Sequence, residues 1–174
     1  MKSRRSFHSA AFTLVELLIV IMILAIAAAI VVPNLGTAAD SQVVSAARVL
    51  ESDLGLARSL ALTTQQTHSV VFSPDLQSYK VVADYGGGAY AAAVAVEHPV
   101  RVGARMETTL KKLGGMGAVV VAGVSFGGGA TYVTFNSLGE ASSAGSITLQ
   151  AGGTQMVISV ESLTGAVTVQ RTAG

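Results

Sequence analysis

The first candidate for chemistry is a serine between two glycines. Gly123-Val-Ser125-Phe-Gly127 matches the G-x-S-x-G pattern of a hydrolase nucleophile. That chemistry needs a tight turn between a strand and a helix, followed later in the chain by an acid and a histidine. Here a glycine run and another strand-like stretch follow Ser125, and no histidine occurs after His98. We therefore expect a strand entering a glycine-rich turn, with no catalytic residue and no enzymatic activity.

Side chains that bind metals are scarce in this sequence. The 174 residues contain no cysteine and three histidines, which argues against a thiolate site or a multi-histidine centre. After Lys112 the only acids are Glu140 and Glu161, too few for the oxygen cage of a calcium ion. His68 and His98 have no second ligand at a suitable spacing, and we expect both at the surface. The sequence predicts no metal and no cofactor.

A basic window lies in the middle of the chain. Its bases are Arg101, Arg105, Lys111 and Lys112, beside one acid, Glu107. An exposed loop of this composition suits phosphates, lipid head groups or an acidic neighbour. The window has no aromatic side chain to stack on nucleotide bases, and the whole chain carries a net charge of only +1. We interpret the basic window as a solvated loop. A contact with another subunit is the second interpretation, and a contact with nucleic acid is the third.

The strongest signal is an apolar segment near the N-terminus that contains a single charge. Phe12–Val32 has one hydroxyl, on Thr13, and one carboxylate, on Glu16. A helix of this length just crosses a hydrocarbon core of about 30 Å. The bases that precede it are Lys2, Arg4 and Arg5. Because positive flanks stay in the cytoplasm, the rest of the chain is predicted to be exported.

Three kinds of N-terminal segment compete for this stretch. Ser3–Phe7 is similar to the start of a twin-arginine export signal, and Ala25–Ala27 would suit a signal peptidase. A secretory signal has a shorter apolar region, however, of about 7–15 residues. An ordinary membrane anchor explains the length but not Glu16, since an acid deep in a membrane costs about 2.5–3.5 kcal/mol without a partner.

The third alternative supplies such a partner. The residues Ala11-Phe12-Thr-Leu-Val-Glu16 resemble the type IV prepilin (class III) processing signal. The resemblance implies that prepilin peptidase removes a leader of residues 1–11, cutting between Ala11 and Phe12, and that the amino group of Phe12 is methylated. It also implies that Glu16 forms a charge pair during assembly. The family nearly always has glycine before the cut; Ala11 is the next smallest residue, so we expect processing to survive.

A long helix is predicted from Phe12 to about Leu62. Pro33 lacks a backbone N–H and predicts a kink there, at a position where the pilin family usually has proline. Residues 12–33 would form the transmembrane and assembly half, and residues 34–62 an amphipathic half. One apolar face recurs at helical spacing in the second half. Its members are Val43, Ala46, Leu50, Leu54, Ala57 and Ala61.

Residues 63–174 predict a β-rich globular domain, because the hydrophobic period changes to two and glycine runs separate the segments. The predicted strands are 69–72, 78–83, 89–96, 118–126, 131–135, 146–149, 155–160 and 166–170, with 105–117 left open. The predicted fold class is α+β, a pilin-like fold in which the long kinked helix packs on an antiparallel sheet.

The globular region also resembles the GspH/FimT family of minor pilin-like proteins. Leu56–Ala61 is similar to that family's ARS-type motif at the end of the helix. The closing hairpins are similar over Tyr132–Phe135, Gly139, Ser146–Leu149, Met156–Ser159 and Thr164–Val167. Many members have arginine where this chain has Ala166.

The resemblance implies a minor pseudopilin of a type II secretion system. Such a protein would sit in the bacterial inner membrane, with its N-terminus in the cytoplasm and its globular domain in the periplasm. Its partners would be other pseudopilins or pilins in a filament, and prepilin peptidase. The alternatives are a minor type IV pilin, for pilus initiation, adhesion or DNA uptake, and a membrane-anchored periplasmic enzyme or binding module.

Overall fold

The computed structural model describes residues 13–31 and 34–173. Two helices come first, α1 (Leu14–Val31) and α2 (Asn34–Thr64). The chain divides into two compact units, residues 1–35 and 36–174. The predicted kink residue, Pro33, lies outside the described residues, as do the leader and both residues of the predicted cleavage site.

The apolar face predicted for the second half of the helix is confirmed. Its residues are fully buried, and Ala47 joins them from the adjacent position. Four of these seven side chains are alanines, so small residues make up most of the buried face of α2. The helix runs two residues beyond the predicted end, to Thr64.

Within the described residues, eight strands form two four-stranded sheets. The strands are β1 (His68–Phe72), β2 (Ser78–Ala83), β3 (Glu107–Thr109), β4 (Val120–Phe126), β5 (Tyr132–Phe135), β6 (Gly145–Ala151), β7 (Thr154–Val160) and β8 (Val167–Ala173). The first sheet has the order β3-β2-β1-β5 and the second β4-β6-β7-β8. Every paired strand is antiparallel, which confirms the α+β class with a helix on antiparallel sheet.

The predicted strand at residues 89–96 is wrong. The structure has a short 3₁₀ turn at Tyr90–Ala92, and only Ala95 pairs with β2, in an isolated bridge to Val82. Alanine-rich sequence is a poor strand former, and β3 takes the pairing positions at the start of β2 instead. The edge strand β3 falls in the stretch that the sequence left open.

The core lies where α2 covers both sheets. Phe72 and Phe135 contribute from the first sheet, and Ile147 and Ile158 from the second, all at most 2% exposed. They belong to one continuous cluster with the buried face of α2. One helix therefore holds the two sheets to a shared core.

Candidate functional site

The helix α1 presents an apolar surface on every side. All described side chains from Thr13 to Ala28 are exposed, and Leu14, Leu17 and Ile23 each expose 60% or more of their surface. Monomeric soluble proteins rarely leave such a large contiguous apolar surface uncovered. A helix that is hydrophobic all round is suited to lipid or to a bundle of similar helices.

The one charge of α1 lies in its first turn. The Thr13 hydroxyl oxygen accepts a hydrogen bond from the backbone N–H of Glu16 at 3.1 Å, so Thr13 caps the helix. Thr-x-x-Glu is the sequence pattern of a capping box, in which the threonine and glutamate satisfy free N–H groups at the helix start. Glu16 is exposed, and its carboxylate lies at the end of the helix where negative charge is favourable.

The other residues of the predicted processing site are not described. Ala11 and Phe12 both precede the first described residue, so their roles stay predictions. Within residues 13–31 and 34–173, no helix is long and apolar enough to cross a membrane. The predicted segment 12–32 extends at both ends into residues outside the described ones.

The serine in the hydrolase-like pattern lies in an ordinary strand. Ser125 is exposed near the end of β4, and the chain continues through a 3₁₀ turn at Gly127–Gly129 into β5. Gly128 adopts a φ of 74°, and an added Cβ at Gly127 would meet the Ser143 side chain at 2.9 Å. A nucleophile turn leads from a strand into a helix, and this one leads into another strand.

His68 and His98 differ in their exposure to solvent. His68 is 4% exposed in β1, and its Nδ1 lies 3.2 Å from the Gln66 carbonyl oxygen, so the prediction of a surface position is wrong for it. All five residues of this central strand are buried, so both of its faces are covered. His98 is half-buried in the loop before β3. Among the described residues, no group of three or more His, Cys, Asp or Glu side chains is arranged to hold a metal ion.

The predicted basic window does not form one patch. Arg101, Arg105 and Lys112 line a single cleft, together with Asp53 of α2. Lys111 lines a separate depression beside Asp75, whose pKa is lowered mainly by the Ser73 hydroxyl and also by this lysine. All four bases are exposed, as the sequence predicts.

An aspartate of α2 is anchored to the first sheet. Asp53 accepts hydrogen bonds from the Tyr79 hydroxyl at 2.7 Å and from the Thr108 hydroxyl at 3.3 Å. Burial raises the pKa of Tyr79 well above its usual value of 10, and the Asp53 charge adds to this. Tyr79 is therefore a neutral donor to the Asp53 carboxylate.

Arg58 has a role that the sequence reasoning missed. Its Nε donates a hydrogen bond to the Gly139 carbonyl oxygen at 3.0 Å. Gly139 and Gly165 both have positive φ, of 79° and 61°, and an added Cβ on Gly165 would meet the Gly139 oxygen at 2.1 Å. Arg58 thus ties the end of α2 to the turns before β6 and β8. The ARS-type motif, which contains Arg58, is the feature of the sequence that could have indicated this role.

Family comparisons agree with this architecture. The model of the family described as type II transport protein GspH matches residues 46–165. The model of the prokaryotic N-terminal methylation motif matches residues 6–32. No curated protein matches the chain in sequence at a significant level.

Solved structures with the same fold include two kinds of pilin-like protein. The minor pseudopilin EpsH of the Vibrio cholerae type 2 secretion system aligns with a TM-score of 0.54 and 14% identity, over 74% of this chain and 96% of that one. The type IV minor pilin FimU of Pseudomonas aeruginosa aligns with a TM-score of 0.53 and 15% identity, over 75% and 90%. At these identities the likeness establishes the fold.

Proposed function

The chain belongs to the family of type II transport protein GspH, whose model covers residues 46–165, and we propose on that basis that it is a minor pseudopilin of a type II secretion system. As such it is a structural subunit of a periplasmic filament that takes part in protein export. The family match carries the proposal. The fold shared with the minor pseudopilin EpsH supports it.

The proposed maturation begins with loss of the leader. Prepilin peptidase removes residues 1–11 and the new amino group of Phe12 is methylated, as the match of the methylation motif over residues 6–32 supports. The small side chain of Ala11 stands where the family usually has glycine. Residues 12–33 then anchor the chain in the inner membrane, with the bases of the leader on the cytoplasmic side and residues 63–174 in the periplasm.

Assembly follows from the exposed surface of α1. In the filament, that helix leaves lipid for a bundle of helices from sister subunits, where apolar burial is shared between chains. The Glu16 carboxylate pairs with the α-ammonium of Phe12, either in its own chain or in a neighbouring subunit that is staggered along the filament.

The intact mass of the membrane-extracted protein tests the maturation step. We expect one product that begins at Phe12 and carries one methyl group. The variant Ala11→Gly, which restores the usual family residue, is the matched control and should give the same product. A product beginning at Ala28, or a chain still carrying Met1, would contradict the proposal.

A second candidate function is a minor type IV pilin, favoured by the likeness to FimU. The genes next to the coding sequence discriminate between the two. Genes for a secretion ATPase and a secretin favour the pseudopilin, whereas a pilus retraction ATPase gene favours the pilin. Loss of secretion in a deletion strain, with pili intact, is the functional result that we expect.

A further inference from the structure

A cleft of about 630 Å³ opens between α2 and the segment that leads into and out of β3. Its walls include Val49 and Asp53 from α2, and Met106 and Leu113 from the opposite side. The polar side chains around it include His98, Arg101, Arg105 and Lys112. Its volume is large enough for several side chains of a peptide.

The acids of the cleft already have partners within the chain. Asp53 accepts from Tyr79 and Thr108. Glu107 lies 3.9 Å from the Lys80 ammonium, measured from Oε1 to Nζ. Neutral hydroxyl donors leave the charge of Asp53 in place, but Arg101, Arg105 and Lys112 outnumber the two acids by one, so the net charge lining the cleft is positive.

Two of the three exposed bases at the cleft are well suited to carboxylates. The guanidinium of Arg101 offers a planar pair of donors that matches a carboxylate, and Lys112 adds a compact ammonium. Arg105 is held in place, because its Nη1 donates to the Ala95 carbonyl oxygen at 2.7 Å. This bond uses only one of its five N–H donors.

His98 contributes a further donor. Its Nδ1 accepts hydrogen bonds from the backbone N–H groups of Val100 and Arg101, at 3.1 and 3.2 Å. A ring nitrogen that accepts carries no proton, so the proton of the neutral ring is on Nε2. The same bonds fix the turn on which Arg101 stands.

We propose that this cleft binds a segment of another protein that presents clustered carboxylates. None of the residues lining the cleft is aromatic apart from the imidazole of His98, so no platform stacks nucleotide bases. A second copy of this chain offers no continuous run of acids, since no two acids are adjacent in its sequence. The proposal does not depend on which kind of filament the protein joins.

The test uses the full chain in detergent micelles and a fluorescein-labelled hexaglutamate peptide. We expect binding that weakens with salt, and a loss of about tenfold or more in the double variant Arg101→Gln/Lys112→Gln. The matched control is Arg48→Gln/Lys111→Gln, which removes the same net charge from exposed bases outside the cleft. It should stay within about twofold of the parent chain.

Equal losses of peptide affinity in the two double variants would overturn the proposal, because binding would then depend on net charge alone. A twelve-residue oligothymidylate that binds as tightly as the peptide, and loses as much in the cleft variant, would also overturn it. Filament incorporation, measured separately for the same variants, tests the proposed function and not the cleft.

Discussion

At the scale of single residues, Glu16 has a backbone hydrogen bond in the structure and a charge pair that we propose for its side chain. Thr13 caps the helix through the Glu16 backbone, as a capping box requires. The proposed charge pair with the Phe12 ammonium uses the carboxylate instead. Glutamine serves a capping box as well as glutamate does, but it carries no charge.

We predict that Glu16→Leu and Glu16→Ala leave membrane insertion and leader cleavage intact but block incorporation into the filament. Glu16→Gln should rescue only weakly, because a buried ammonium without a charged partner is unfavourable. Crosslinking to the neighbouring subunit, with secretion measured in the same strain, gives the readout. Full rescue by glutamine would assign Glu16 to capping, and normal crosslinking of the leucine variant would remove the charge pair altogether.

At the scale of elements, Arg58 and two glycines, Gly139 and Gly165, join the end of α2 to two turns. Gly165 accepts no side chain without strain, since its φ is +61° and the Gly139 oxygen occupies the place of a Cβ. Arg58 donates to that same oxygen. The contact connects α2 to the turn that follows β5 and to the turn that precedes β8.

Gly165→Ala should therefore destabilise the globular unit by about 2–4 kcal/mol, through left-handed backbone strain and the clash with Gly139. The matched control is Gly153→Ala, where nothing lies within 4 Å of an added Cβ. It should change stability by no more than about 1 kcal/mol. Denaturant midpoints followed by circular dichroism compare the two, and an equal shift for both variants would contradict the assignment.

The elements that the sequence predicted are those set by local periodicity. The buried face of α2 recurs at helical spacing, and the hairpin β6–β7 alternates with a period of two, so both were predictable. The division into two sheets depends on which strands pair, and β1 pairs with β5 across more than 60 residues of sequence. The misassigned strand at residues 89–96 and the cleft around Arg101 depend instead on the pairing of β2 with β3.

At the scale of the whole molecule, the family resemblance stated from the motifs is confirmed, and the globular unit has its own core. Every buried hydrophobic residue of the described chain lies between Val43 and Val160. The unit of residues 36–174 thus holds the complete core cluster. Its stability need not draw on the exposed apolar helix that precedes it.

We predict that a chain of residues 36–174 unfolds in one cooperative transition in aqueous buffer without detergent. Differential scanning calorimetry measures it, and agreement between the calorimetric and van't Hoff enthalpies is the expected result. Leu50→Ala should lower the transition temperature of this chain, because a fully buried leucine typically contributes about 2–5 kcal/mol. A broad transition without a heat absorption peak would contradict an autonomous core.

The burial of α2 under both sheets also sets an order in time. The ribosome completes the apolar face at Ala61 about 100 residues before it completes β7 at Val160. At about 5–20 residues per second, that face waits on the order of 5–20 s for its second sheet. The nascent chain is therefore prone to aggregation for most of its synthesis. A factor that shields residues 43–61 during translation or export would protect the chain at this stage.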